Sequence, residues 1–95
     1  MPRRPQDKST ILFAATLRND LPTLDLHGFF PDEALHKLEL FLFENYNSKN
    51  EIVKIIYGGG TGVLREKVLT YLHSHPLVDT LSEEGGSSVV LIVSR

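Results

Sequence analysis

Cysteine is absent from this chain of 95 residues, which excludes a disulfide scaffold and a cysteine-ligated zinc site and suits a reducing compartment. Long apolar runs are absent as well. No stretch approaches the roughly 18 residues needed to cross a bilayer. The apolar segment 11–17 that follows Arg3, Arg4 and Lys8 is too short for a secretory signal and is interrupted by Thr16. The expectation is a soluble cytoplasmic protein with no membrane partner. Excess basic charge is also missing: the formal net charge is -2, so no global field draws nucleic acid to the surface. Divided at residue 20, the first part carries four basic and two acidic residues, a net of +2, and the rest six basic and ten acidic, a net of -4. Any nucleic-acid contact must therefore be local, at Arg3 and Arg4 or at Arg65 and Lys67.

What is present suffices for one modest core, since a chain of this length buries roughly 60 to 68% of its extended surface on folding. Residues 1–22 read as an N-terminal arm containing a short helix after a Ser9 cap, and residues 23–95 as the domain proper. Leu24 and Leu26 alternate with Asp25 and His27, the period of a half-buried strand, which Gly28 ends. Pro31 suits a first helical position, and Asp32 and Glu33 suit the positive end of the same helix. Ala34, Leu35, Leu38, Phe41, Leu42 and Tyr46 then recur at helical spacing. A β-branched strand over 52–57 runs into glycines, and a second helix runs from Val63 to about His73, with Pro76 just beyond. Strand candidates at 77–81 and 89–93 flank a hairpin connection over 82–87. The order β-α-β-α-β-β predicts an α/β (α+β) two-layer sandwich with a mixed four-stranded sheet and two helices on one face. A parallel crossover between the first two strands brings His27 and the glycine loop to the same sheet edge.

The loop Gly58-Gly59-Gly60-Thr61-Gly62 opens a helix, and glycines that accept positive φ let backbone N–H groups approach an anion such as phosphate. It is neither a dinucleotide fingerprint, because Val63 stands where a third glycine is needed, nor a nucleotide P-loop, because no Lys-Ser or Lys-Thr pair follows Gly62. The plainer alternative is a turn that only passes strand to helix. Asp25 and His27 share one strand face. An imidazole can serve as general acid or base at phosphorus, and a carboxylate can orient it, hold its charge or bind a divalent metal ion. The alternative here is a solvated polar face.

Leu24-Asp25-Leu26-His27-Gly28 with Glu33-Ala34-Leu35, then Gly58-x-Gly60-Thr61-Gly62-x-Leu64-Arg65, then His75-Pro76 and Gly85-Gly86 before Val89-Val90, resembles the Smr (small MutS-related) domain over residues 23–93. The resemblance implies a fold like the C-terminal domain of translation initiation factor three. It also implies nucleic-acid binding and, in part of the family, nicking endonuclease activity on DNA or RNA, including messages on stalled ribosomes. Carried over by position, Asp25 and His27 are the catalytic pair, and Gly58, Gly60, Thr61, Gly62 and Arg65 the substrate loop, with Lys67 beside it. One position departs from the pattern. Tyr57 stands where the family commonly has histidine, so it is read as a contact to phosphate or base that cannot exchange protons as imidazole does. Strand parity pulls the other way and aims Tyr57 toward the helices with Val53 and Ile55. A structure-sensitive nicking endonuclease is thus weighed against a binding module of the same fold that does not cut.

The remaining features are read as structural. His73 and His75 flank Ser74 at a helix C-terminus and make a poor metal site, and His36 falls on the outer face of the first long helix. Leu40 and Phe43 lie off the apolar stripe. They are read as packing under the N-terminal segment in preference to a self-association patch.

Overall fold

The computed structural model describes residues 7–60 and 62–94. Arg3, Arg4 and Thr61, named above as candidate contacts, lie outside the described residues. The elements in chain order are α1 (Lys8–Thr16), β1 (Thr23–Asp25), α2 (Pro31–Asn47), β2 (Ile52–Ile56), α3 (Val63–Ser74), β3 (Val78–Glu84) and β4 (Ser87–Ile92). The strands form one mixed sheet in the order β1-β2-β4-β3, parallel between β1 and β2 and antiparallel elsewhere. The expected α+β class and mixed four-stranded sheet are therefore found, with three helices among the described residues.

Strand alternation sorts the sheet into two faces. Val53, Ile55, Tyr57, Val90 and Ile92 share a core with Leu26 and with Ala34, Leu38 and Leu42 of α2 and Val68, Leu69 and Leu72 of α3. The next residues along the same strands, Ile52, Val89 and Leu91, face the other way, onto Leu12, Ala15 and Leu21. Burying a large aliphatic side chain contributes about 1.5 to 3 kcal/mol relative to exposure, so both faces matter to stability. Helix α1 is capped by Asp7, whose carboxylate accepts from the Ser9 N–H at 3.1 Å; Ser9, expected as the cap, lies inside the helix. An ion pair from Lys8 to Asp79 at 2.9 Å ties α1 to β3.

This placement corrects the reading of Leu40 and Phe43. The N-terminal helix covers the sheet face opposite α2, so it does not lie over them, and they remain 58% and 46% exposed. Phe43 instead meets the His75 ring edge-on, with centroids 6.1 Å apart. His75 is buried at the end of α3. Its Nδ1 accepts from the Leu77 N–H at 3.0 Å, which leaves the proton on Nε2, and Nε2 meets the Glu39 carboxylate of α2. Tyr71 also bonds Glu39, so the ends of the two helices are stitched by polar contacts. The β3–β4 connection is tighter than expected: the strands run through Ser82 to Glu84, and Gly85-Gly86 alone make the turn, with Gly85 at φ 57°.

Candidate functional site

The parallel pairing of β1 and β2 matches Asp25 with Ile56, and the Leu26 N–H extends the ladder to the Ile56 carbonyl at 2.7 Å. Both strands therefore end together. After β1 the chain turns at once: the Phe29 N–H bonds the Leu26 carbonyl at 3.2 Å, and Gly28, third in this four-residue turn, has φ 84°. That position demands a residue free to adopt positive φ. His27, second in the turn, is thrown outward, and its side chain is 71% exposed.

Asp25 and His27 form a hydrogen-bonded pair. The His27 Nδ1 lies 2.6 Å from Asp25 Oδ1, and the same oxygen accepts the His27 backbone N–H at 3.1 Å. Those two bonds, the side-chain bond foremost, hold the Asp25 carboxyl below the usual carboxylate range. An ionised carboxylate on Nδ1 fixes the ring's orientation and leaves Nε2 as the nitrogen able to exchange a proton with a ligand. The described residues gather no set of three His, Cys, Asp or Glu that could hold a metal ion. A divalent ion at Asp25 would thus depend on oxygens from a substrate, as Mg²⁺ commonly does.

The glycine loop stands against this pair. A Cβ built on Gly58 would lie 3.6 Å from the His27 Cβ. Gly58, Gly60 and Gly62 have φ 81°, 20° and 86°. Gly62 is the N-cap of α3 and offers no side chain to its first turn, where helix amides lack intrahelical partners. A cleft of about 250 Å³ separates Gly58, Gly59, Gly60, Gly62, Leu64 and Arg65 from Gly28, Phe29 and Phe30. Behind the loop, the Gly86 carbonyl accepts the N–H groups of both Tyr57 and Gly58 at 2.9 Å.

Tyr57 requires a correction. It is 3% exposed, within the core shared by the sheet and the helices. Its hydroxyl donates to the Ser87 carbonyl at 2.9 Å and sits 2.8 Å from the Ser88 Oγ. Desolvation raises the phenol above its usual range. Parity along β2 prevails over proximity to the loop: the ring is packed in the core beneath the loop, and Tyr57 reaches the cleft only as part of its lining beside Gly58. Arg65 is also less free than its position suggests: its guanidinium pairs with Glu83 near the end of β3. Lys67 is exposed.

Sequence reasoning did not single out Phe29, Phe30 or Glu83. The aromatic pair had a readable signal, because phenylalanine directly before a Pro at the first helical position falls at an N-cap, where Ser, Thr, Asp or Asn is preferred. The Glu83 partnership had none, since it depends on the length of the β3–β4 hairpin.

An α+β domain with an Asp-His pair packed against a glycine-rich helix entrance is the class defined by this fold and site. The Smr domain family model matches residues 24–95, and the chain belongs to that family. It is 40% identical over 74 residues to endonuclease MutS2 of Halothermothrix orenii, covering 74% of this chain and 9% of that protein. It is 34% identical over 77 residues to endonuclease MutS2 of Caldicellulosiruptor saccharolyticus, covering 77% of this chain and 10% of that protein. The chain thus spans about a tenth of the length of these relatives. Among solved structures, the Smr domain of Thermus thermophilus MutS2 superposes with a TM-score of 0.74 at 24% identity, covering 77% of this chain and 99% of that one. The SMR domain of NEDD4-binding protein 2 gives 0.66 at 28% identity, covering 82% and 92%.

Proposed function

We propose that this Smr domain binds nucleic acid at the cleft between the glycine loop and Phe29–Phe30 and nicks it by phosphodiester hydrolysis at the Asp25–His27 pair. The observation that carries the reading is the juxtaposition of an oriented, exposed imidazole with the glycine-rich entrance of α3, so close that a Cβ added at Gly58 would touch the His27 Cβ. A phosphodiester seated on the loop amides presents its phosphorus to the His27 side of the cleft. His27 Nε2 then takes the proton of an attacking water or gives one to the departing oxygen, while ionised Asp25 stabilises the imidazolium through Nδ1. The loop amides and the start of α3 offset the charge that grows on the nonbridging oxygens.

The names of the MutS2 relatives, which are called endonucleases, support this reading. A second reading, binding without cleavage in a nucleic-acid or ribosomal complex, draws on one specific observation: tyrosine stands at position 57, where a proton-exchanging histidine is the expectation, and is packed inward. The two are separated by a nicking assay on supercoiled plasmid and structured RNA, with and without divalent metal. Cleavage by the wild-type chain that disappears in His27→Ala supports the first. Binding without cleavage under any of these conditions leaves the second.

A further inference from the structure

We propose that Phe30 is a stacking platform for an unpaired nucleobase, so that the cleft takes the base as well as the phosphate of a single-stranded nucleotide. This rests on the reading of the cleft as a nucleic-acid site. Phe30 is 83% exposed, the most exposed large apolar side chain among the described residues, and it lines the same cleft as the glycine loop. It also occupies the N-cap of α2 without any side-chain capping bond. A hydroxyl or carboxylate there would satisfy an orphan helix amide, so the position sacrifices local helix stability for an aromatic surface in water. Departures of this kind from local preference concentrate at functional sites.

The surroundings suit a base better than an apolar peptide. Phe30 stands between the Gly28 turn and Pro31, whose ring fixes φ at the first helical position, so the platform is held by rigid backbone and loses little entropy on use. Its neighbour Phe29 lies under the Lys37 ammonium, 4.9 Å from the ring centroid, which fixes the second ring and brings a cation to that wall of the cleft. An aromatic face, a nearby cation and an amide-rich loop opposite match the two halves of a nucleotide: a base with a π-face, and an anionic backbone. In an intact duplex the base faces are covered by their neighbours. The platform therefore selects single strands, bulges or junction arms.

The test uses single-stranded DNA and single-stranded RNA oligonucleotides carrying 2-aminopurine, with matched hairpin duplexes, titrated with the whole chain and its Phe30→Ser and Phe30→Trp variants while melting temperature is recorded. Stacking on an aromatic ring predicts that Phe30→Ser weakens single-strand binding about fivefold to a hundredfold and abolishes 2-aminopurine quenching, while Phe30→Trp preserves both. Phe30→Ser should melt at the same or a higher temperature, because serine caps the helix; a merely structural phenylalanine would give the opposite sign. The DNA and RNA arms show which backbone the loop accepts, and the loss is expected in whichever arm the wild-type chain binds. Unchanged single-strand affinity in Phe30→Ser, or a preference of the wild-type chain for duplex, overturns the platform and leaves the nucleic-acid reading intact. Absence of wild-type binding to every oligonucleotide overturns both.

Discussion

A Cβ on Gly86 would stand 3.1 Å from both the Cα and the carbonyl carbon of Gly58, so the β3–β4 turn and the glycine loop meet backbone to backbone. Gly86→Ala is expected to push the loop outward by a few tenths of an ångström and to strain the bonds from the Tyr57 and Gly58 amides to the Gly86 carbonyl. Weaker nucleic-acid binding and a lower melting temperature, with unchanged helix content by circular dichroism, are the expected outcomes. Normal binding by the Gly86→Ala variant would show that the loop is not tuned by this contact.

Removing either member of the Asp25–His27 pair should lower nicking by about 10²- to 10⁴-fold. Both side chains are exposed, so stability should change little near neutral pH. Asp25→Asn adds a test in acid. The Asp25 carboxyl is held low by the His27 side chain first and its backbone N–H second, so its contribution is present above the usual carboxylate range and is lost as pH falls through its lowered value. Chemical denaturation followed between about pH 2 and pH 6 should show a shallower acid limb in Asp25→Asn than in wild type.

Glu83 neutralises the one arginine at the cleft. Glu83→Gln should free the Arg65 guanidinium for phosphate, tighten binding to duplex or single strand, and steepen the dependence of log affinity on log salt by at most about 0.9 on duplex DNA. Arg65→Ala should weaken binding and flatten the slope by a similar amount. Isotherms at several salt concentrations decide it, and identical slopes for Glu83→Gln and wild type would place the phosphate elsewhere.

Tyr57 should behave as a core residue. Tyr57→Phe leaves the Ser88 hydroxyl, which is fully buried, without the phenol that meets it and should cost about 1 to 3 kcal/mol. Tyr57→Ala should cost about 3 to 5 kcal/mol by opening a cavity. Tyr57→His would insert a polar ring among apolar neighbours and should lower stability with no gain in cleavage near or below about pH 6.5, where imidazole is substantially protonated. A rise in cleavage for Tyr57→His would mean that the side chain at this position reaches the substrate.

Alkaline stability should report the α2–α3 stitch. Burial, and then the hydrogen bond to Glu39, push the Tyr71 phenol up to about 12. The neutral phenol is the form the fold favours, so its contribution is complete below the unfolded value of about 10 and disappears as pH rises through the folded one. Tyr71→Phe should be less stable than wild type at neutral pH and should lose less on passing from about pH 9 to about pH 12 in urea melts.

The elements were legible in the sequence because their periodicities are unambiguous. Leu24 and Leu26 alternate with Asp25 and His27, and the structure puts both leucines against the core and both polar residues outside. The same pleat logic points Tyr57 inward, against the pull of its nearness to the glycines along the chain, and the structure follows the pleat. What could not be read depends on contacts distant along the chain. The side of the sheet taken by α1, which left Leu40 and Phe43 uncovered, is decided by Ile52, Val89 and Leu91 presenting a second apolar face, a pattern also consistent with an ordinary buried strand. The pairing of Arg65 with Glu83 follows from a hairpin that turns on two glycines where a longer connection had been expected.

Helix α1 has a consequence for how this domain can be transplanted. The family match starts at residue 24, but the packing that covers the second sheet face comes from upstream of it, because Leu12, Ala15 and Leu21 are the described residues outside β4 that are buried against that face. A graft cut at the family boundary would carry Ile52, Val89 and Leu91 uncovered into its new host, as an adhesive sheet surface. The junction belongs upstream of the Asp7 cap, so that the helix travels with the sheet it shields.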